Sequence, residues 1–183
     1  PAAPLQIQLL LIYDPSTAPG AFVRFNDILA HLESRLDKAR SFREKLVRVP
    51  FDLDHPYWID DPNFDLEFHV RHIALTQPGD WRQLCIQVAR LHARGLDLSK
   101  PLWEFNIVEG LDNIEGLPKG CFALVAKVHH AAIDGMSGVE LSAAVHDIEP
   151  VPVDRTKKAK WKGENEPAVT EMLMRTWLNS VTQ

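Results

Sequence analysis

Side chains able to move a proton or hold a metal come together most densely in one stretch of this 183-residue chain, His129-His130-Ala131-Ala132-Ile133-Asp134-Gly135. It follows directly on Cys121 to Val128, an almost continuous apolar run of the kind that forms a strand inside a sheet. Successive strand side chains point to opposite faces, so His130 shares a face with Val128 and Ala126, and His129 goes with Lys127. From the residues alone, three readings are open. A metal bound with the help of Asp134 is conceivable, but one ion is hard for both histidines to reach and no third histidine or cysteine lies nearby. Two hydrogen-bonded histidines and a helix-capping Asp134 would be purely structural. The third reading is general base catalysis, because a neutral imidazole at a cavity can take a proton from a hydroxyl or thiol and return it near its ordinary pKa of about 6.5. Gly135 and Gly138 would allow a tight turn and leave space above the histidine. Ser137 lacks a nucleophile-elbow pattern and Cys121 is expected to be buried, so direct transfer through a ternary complex fits better than a covalent intermediate.

The rest of the sequence supplies elements to position that stretch. Leu5 to Tyr13 reads as a strand, stopped by Asp14-Pro15-Ser16 and Pro19-Gly20. Phe25, Ile28, Leu29, Leu32 and Leu36 recur at helical spacing, as do Trp81, Leu84, Val88 and Leu91. Short apolar pieces lie at Val47 to Phe51 and Tyr57 to Ile59. Phe68, Val70 and Ile73 suggest a further strand, and Trp103, Phe105 and Ile107 alternate with Glu104, Asn106 and Glu109 as in a half-buried one. A helix is expected over about Ser137 to His146, started by a Ser137/Glu140 capping box or by Asp134. Residues 149–167 carry Pro150, Pro152, Pro167 and the basic run Lys157, Lys158, Lys160 and Lys162, which is linker composition. Met172, Leu173, Trp177 and Val181 then begin a helical pattern. The expected organisation is a domain over 1–148, a flexible linker over 149–167, and over 168–183 the start of a helix leading towards a further domain.

Composition narrows the function. Acidic residues number 25 against 20 Lys and Arg, a net charge of −5, which argues against a nucleic-acid binder. Cys85 and Cys121 form no metal-type spacing and no disulfide framework, as expected in a reducing cytoplasm. The longest apolar runs are too short to cross a bilayer, which needs about 20 helical residues.

The string Lys127-Val128-His129-His130-Ala131-Ala132-Ile133-Asp134-Gly135-Met136-Ser137-Gly138-Val139-Glu140-Leu141 resembles the HHxxxDG active-site segment of the bacterial wax ester synthase/acyl-CoA:diacylglycerol acyltransferase family. HHxxxD alone is shared with chloramphenicol acetyltransferases, carnitine acyltransferases and peptide-synthetase condensation domains. The neighbouring stretches Asp61-Pro62-Asn63-Phe64-Asp65, His69-Val70-Arg71-His72, Leu96-Asp97, Lys100-Pro101-Leu102-Trp103-Glu104 and Val108-Glu109-Gly110-Leu111 resemble that family in order and spacing, including its PLW motif. The resemblance covers nearly all of residues 5–150 and corresponds to the family's N-terminal half. It implies a chloramphenicol-acetyltransferase-like α/β domain, a mixed sheet covered by amphipathic helices.

For the site, the resemblance implies His130 as general base, His129 as a supporting residue, Asp134 as a structural or orienting one, and Gly135 with Gly138 along the acyl passage. Pro101, Leu102 and Trp103 carry the PLW pattern, read chiefly as strand entry and core filling. The roles of His69, Arg71 and His72 stay open. The implied reaction moves a fatty acyl group from acyl-CoA, a cosubstrate, to a long-chain alcohol or diacylglycerol. No metal and no bound prosthetic group is implied. The expected partners are those substrates and the protein's own C-terminal domain. The expected location is cytoplasmic, where the lysine run could draw the protein to the inner membrane or to lipid inclusions. The rival expectations are another HHxxxD acyltransferase or condensation enzyme with a different acceptor, and a non-catalytic lipid-binding domain.

Overall fold

Alternation along one strand divides the molecule into two cores. A computed structural model describes residues 5–133, 137–147 and 162–182. Its elements in chain order are β1 (Gln6–Tyr13), α1 (Phe25–Glu33), β2 (Glu44–Val47), β3 (Tyr57–Asp60), α2 (Leu66–His69), β4 (Val70–Ala74), α3 (Trp81–Ala93), β5 (Trp103–Glu109), β6 (Phe122–His129), α4 (Ser137–Val145) and α5 (Val169–Thr182). Strands β1, β6, β5 and β4 form a mixed sheet in that order, and β2 and β3 form an antiparallel pair. β6 is antiparallel to both of its neighbours, whereas β4 and β5 are parallel and joined through α3, as a parallel pair requires a crossover.

The register aligns side chains into rows across the sheet. On one face, Ile7, Val128 and Trp103 form a row, followed by Leu9, Ala126 and Phe105, and then Leu11, Leu124 and Ile107. Leu32 of α1 and Leu141 and Ala144 of α4 pack into the core on this face. On the other face Leu10, Ile12, Ala123, Val125 and Val108 meet Leu84, Val88 and Leu91 of α3. Leu84 and Leu91 are almost fully buried, and a buried leucine contributes about 1.5–3 kcal/mol. Each α3 apolar residue therefore helps fix the back of the strand that leads into His129 and His130.

Local departures from the sequence reading have identifiable causes. Phe68 belongs to the single-turn helix α2, capped by Asp65 accepting from the Glu67 amide at 3.0 Å, and the strand starts only at Val70. α1 ends at Glu33, leaving Leu36 buried in the turns that follow. β5 is buried on both faces rather than half-buried. Its polar residues are paired inside: Asn106 Nδ2 donates to Glu104 Oε1 at 2.8 Å, and Lys127 Nζ lies 3.7 Å from the same carboxylate. Lys127 also donates to the carbonyls of Leu91 and Arg94 at 3.0 and 3.1 Å, placing its charge at the negative end of α3.

Within 162–168 there is neither helix nor strand. This segment is nonetheless held to the small sheet, since the Glu164 amide donates to Asp60 O at 2.9 Å and Lys45 Nζ donates to Glu166 Oε1 at 2.6 Å. α5 follows over 169–182, in line with the helical pattern expected there. Residues 148–161, with most of the basic run, lie outside the described residues.

Candidate active site

The end of β6 and the turn after it place His129 and His130 in different surroundings. The His129 amide donates to Leu102 O at 2.9 Å, so the strand end is held to the residue preceding β5. The His129 side chain caps the 3-10 turn His130–Ala132, with Nδ1 accepting from the Ala131 amide at 3.1 Å. That nitrogen is committed to the backbone. The His130 amide donates to Leu5 O at 2.7 Å, and Ser41 Oγ donates to Ala132 O at 3.1 Å. The turn is thus tied to chain segments on either side, and the exposed His130 ring lines a cavity of about 310 Å³.

That cavity lies between α4 and the sheet. Ile7, Leu9 and Leu11 of β1, Ala126 and Val128 of β6, and Leu141 of α4 make its walls predominantly apolar. An imidazole at an otherwise apolar groove suits proton transfer to or from a group carried on a hydrocarbon chain. A second cavity of about 240 Å³ continues along the same face, sharing Leu124, Val145 and His146 with the first.

α4 is held by its C-terminal carbonyls. Buried Arg35 donates through Nη1 to Ala144 O at 3.2 Å and through Nη2 to the Asp147 carboxylate, which it holds below the usual carboxylate range. His31 Nε2 donates to Val145 O at 2.9 Å. Cations and donors at a helix C-terminus complement both its dipole and its unsatisfied carbonyls.

Of the residues singled out from sequence, His130 reaches the groove and His129 supports the turn below it. Gly138 lies in the first turn of α4, while Asp134 and Gly135 lie outside the described residues, as do the side chains of Ser137 and Glu140. Pro101, Leu102 and Trp103 are buried, and the Trp103 indole donates to Phe42 O at 3.0 Å, so the PLW segment fills core here. Cys121 is also buried, and desolvation pushes its thiol pKa up, the wrong direction for a nucleophile. Among the described residues no group of three or more His, Cys, Asp or Glu side chains could hold a metal ion.

His69, Arg71 and His72 separate into unrelated roles. Arg71 lies over the Phe68 ring, and His72 pairs with Glu109 at 3.0 Å while stacking on Phe25. His69 is buried between Phe64 and Trp103, its Nδ1 donating to Trp103 O at 2.8 Å. Burial holds its imidazole below the ordinary value of 6.5. Below that value the unfolded chain takes up a proton that folded His69 resists, so this residue makes stability fall as the solution is acidified. His69→Phe keeps the stack and removes the titration. Urea unfolding between about pH 5 and about pH 8 is expected to show a smaller acid loss in the variant, and an unchanged loss would contradict the assignment.

Tyr13, Arg35, Lys127 and His146 were not marked as site or support residues by sequence spacing. Tyr13 could have been found by continuing the alternation of Leu9 and Leu11, and His146 by its place four residues after Ser142 on the groove side of α4.

The family model described as the wax ester synthase/diacylglycerol acyltransferase catalytic domain matches residues 1–183. The chain belongs to the wax ester synthase/diacylglycerol acyltransferase family. It is 36% identical over 186 residues to the probable diacylglycerol O-acyltransferase tgs3 of Mycobacterium tuberculosis, covering 97% of this chain and 63% of that protein. Among solved structures, the wax ester synthase/diacylglycerol acyltransferase of Marinobacter aquaeolei VT8 is 31% identical with a TM-score of 0.55, over 76% of this chain and 33% of that one. The first condensation domain of the calcium-dependent antibiotic synthetase, 16% identical, reaches a TM-score of 0.58 over 77% of this chain and 30% of its own. The chain thus has the condensation-domain, chloramphenicol-acetyltransferase-like fold, and it spans less than two thirds of the length of these relatives. Among its described residues no helix is long and apolar enough to cross a membrane.

Proposed function

We propose that the protein is an O-acyltransferase that moves a fatty acyl group from acyl-CoA to a long-chain alcohol or to diacylglycerol. The observation that carries this reading is His130 at the edge of an apolar groove, in a chain of the wax ester synthase/diacylglycerol acyltransferase family. His130 takes the proton of the acceptor hydroxyl, and the oxygen forms a bond to the thioester carbonyl carbon. The tetrahedral intermediate then collapses with cleavage of the C–S bond, and the proton passes from His130 to the departing CoA sulfur. The products are an ester and free CoA. His129, committed through Nδ1 to the Ala131 amide, steadies the turn. Asp134 orients the same loop, and Gly135 with Gly138 leaves room for the acyl group. No metal or prosthetic group takes part.

A second domain of the same polypeptide, reached through the 149–167 linker, would cover the groove beside His130, and the lysines of that linker favour an anionic lipid surface. The test is thiol release from palmitoyl-CoA with hexadecanol, with diacylglycerol, or with neither. Acceptor-dependent thiol release matched by ester product is expected. Release without acceptor, or none with either acceptor, would overturn the assignment.

A further inference from the structure

Two cavities along one sheet face are separated by a polar pair. Leu124, Val145 and His146 line both, and Tyr13 with Phe122 lines the second. Tyr13 and His146 meet across this boundary with Oη and Nε2 2.5 Å apart. His146 Nδ1 donates to Ser142 O at 2.8 Å, which leaves Nε2 of the neutral ring to accept from the Tyr13 hydroxyl. Burial pushes the Tyr13 pKa up to about 12, so the phenol keeps the proton it donates. The Tyr13 ring stacks with Phe122 at 5.1 Å and with His146 at 5.9 Å, both nearly parallel. The pair is therefore fixed by hydrogen bonds at both imidazole nitrogens and by stacking.

We propose that His146, held by Tyr13, is a specificity-determining residue that sets the length of the alkyl chain accepted in the groove beside His130. The inference rests on the acyl-transfer reading of His130 and adds to it a defined stop. A strand advances about 3.3 Å per residue, so β6 runs about 13 Å from Val128 to the shared Leu124 and about 20 Å to Phe122. Carbon–carbon bonds of about 1.5 Å advance an extended alkyl zigzag by about 1.25 Å per carbon, so these spans match about ten and about sixteen carbons. A chain of the first length fits with the pair closed. A longer one must displace His146 and break its hydrogen bond with the Tyr13 hydroxyl.

The test uses the protein with donors from octanoyl-CoA to stearoyl-CoA at fixed acceptor, and separately with alcohols from octanol to hexadecanol at fixed donor. His146→Ala is expected to raise the long-over-short ratio of kcat/KM about tenfold or more, the scale on which an apolar pocket discriminates chain size. The arm that moves identifies whether donor or acceptor occupies the groove. Tyr13→Phe, which keeps the stack and loses the hydroxyl, is expected to move the ratio the same way by less. Val145→Phe, filling the boundary, is expected to move it the opposite way. Displacement of anilinonaphthalene sulfonate by decanol and by hexadecanol gives a binding readout independent of turnover. Acyl transfer in the wild type with an unchanged chain-length profile in all folded variants, in both arms, would overturn the inference alone. A wild type without acyl transfer would overturn the reading of His130. In that case a shifted decanol-to-hexadecanol ratio in His146→Ala would uphold the chain stop, and an unshifted ratio would overturn it too.

Discussion

His130→Ala is expected to lower kcat for acyl transfer by about 10²- to 10⁴-fold, the usual contribution of a positioned general base, with the fold retained. The side chain is exposed at the groove, while the turn below is tied by the His130 amide to Leu5 O and by Ser41 to Ala132 O. None of those bonds uses the imidazole, so its truncation leaves them in place. His129→Ala acts differently. It removes the Nδ1 acceptor of the Ala131 amide, and loss of such a cap costs about 0.5–2 kcal/mol, read as a lower melting temperature and a milder loss of turnover. Steady-state kinetics and thermal melts on both variants separate the roles. If His129→Ala proved the more damaging to kcat at equal stability, the base would have been assigned to the wrong histidine.

Arg35→Leu is expected to destabilise the protein by about 3 kcal/mol, since hydrogen bonds involving charged groups contribute about 1.5–3 kcal/mol each and the substitution also strands a carbonyl. The guanidinium is almost entirely buried, and its partners are Ala144 O and the partly exposed Asp147 carboxylate. Solvent reduces the contribution of the Asp147 pair, so the carbonyl bond and the buried stem carry most of the effect. In a protein of this size the change corresponds to a melting temperature lower by about 6–12 °C. Because Arg35 holds the end of α4, the variant is also expected to broaden the chain-length profile. Asp147→Asn should cost clearly less. Equal losses from both substitutions would show that the ion pair, not the helix-end hydrogen bond, is what matters.

The parts of the fold that were legible in the sequence are those where an apolar period is uninterrupted. β1, α3 and β6 fall close to their expected limits because an apolar run or helical spacing directly reflects what is buried, and α4 spans Ser137–Val145, close to the limits expected from its capping signal. In β5 the alternation predicts a half-exposed strand, whereas its polar side chains are buried: Asn106 Nδ2 donates to Glu104 Oε1, and Lys127 lies beside the same carboxylate at the end of α3. The two histidines were distinguishable by strand parity, which correctly separates the face of His130 from that of Lys127. What spacing could not reveal is the Tyr13–His146 pair. Its members are brought together by the pairing of β1 with β6 and by the hold of His31 and Arg35 on the end of α4, contacts between residues far apart in the chain.

That same β1–β6 pairing bears on how the chain is synthesised. Tyr13 lies opposite Phe122 and Ile7 opposite Val128, so β1 leaves the ribosome roughly a hundred residues ahead of its partner strand. At about 5–20 residues per second it waits for seconds or longer. In the interval Gln6–Tyr13 is an uncharged segment rich in Leu and Ile, the composition that pairs readily with other extended chains. β4, α3 and β5 can associate earlier because they are close in sequence. Nascent chains halted before β6 are therefore the species most exposed to chaperone capture and to aggregation, with β1 wholly unpaired and one edge of β5 open.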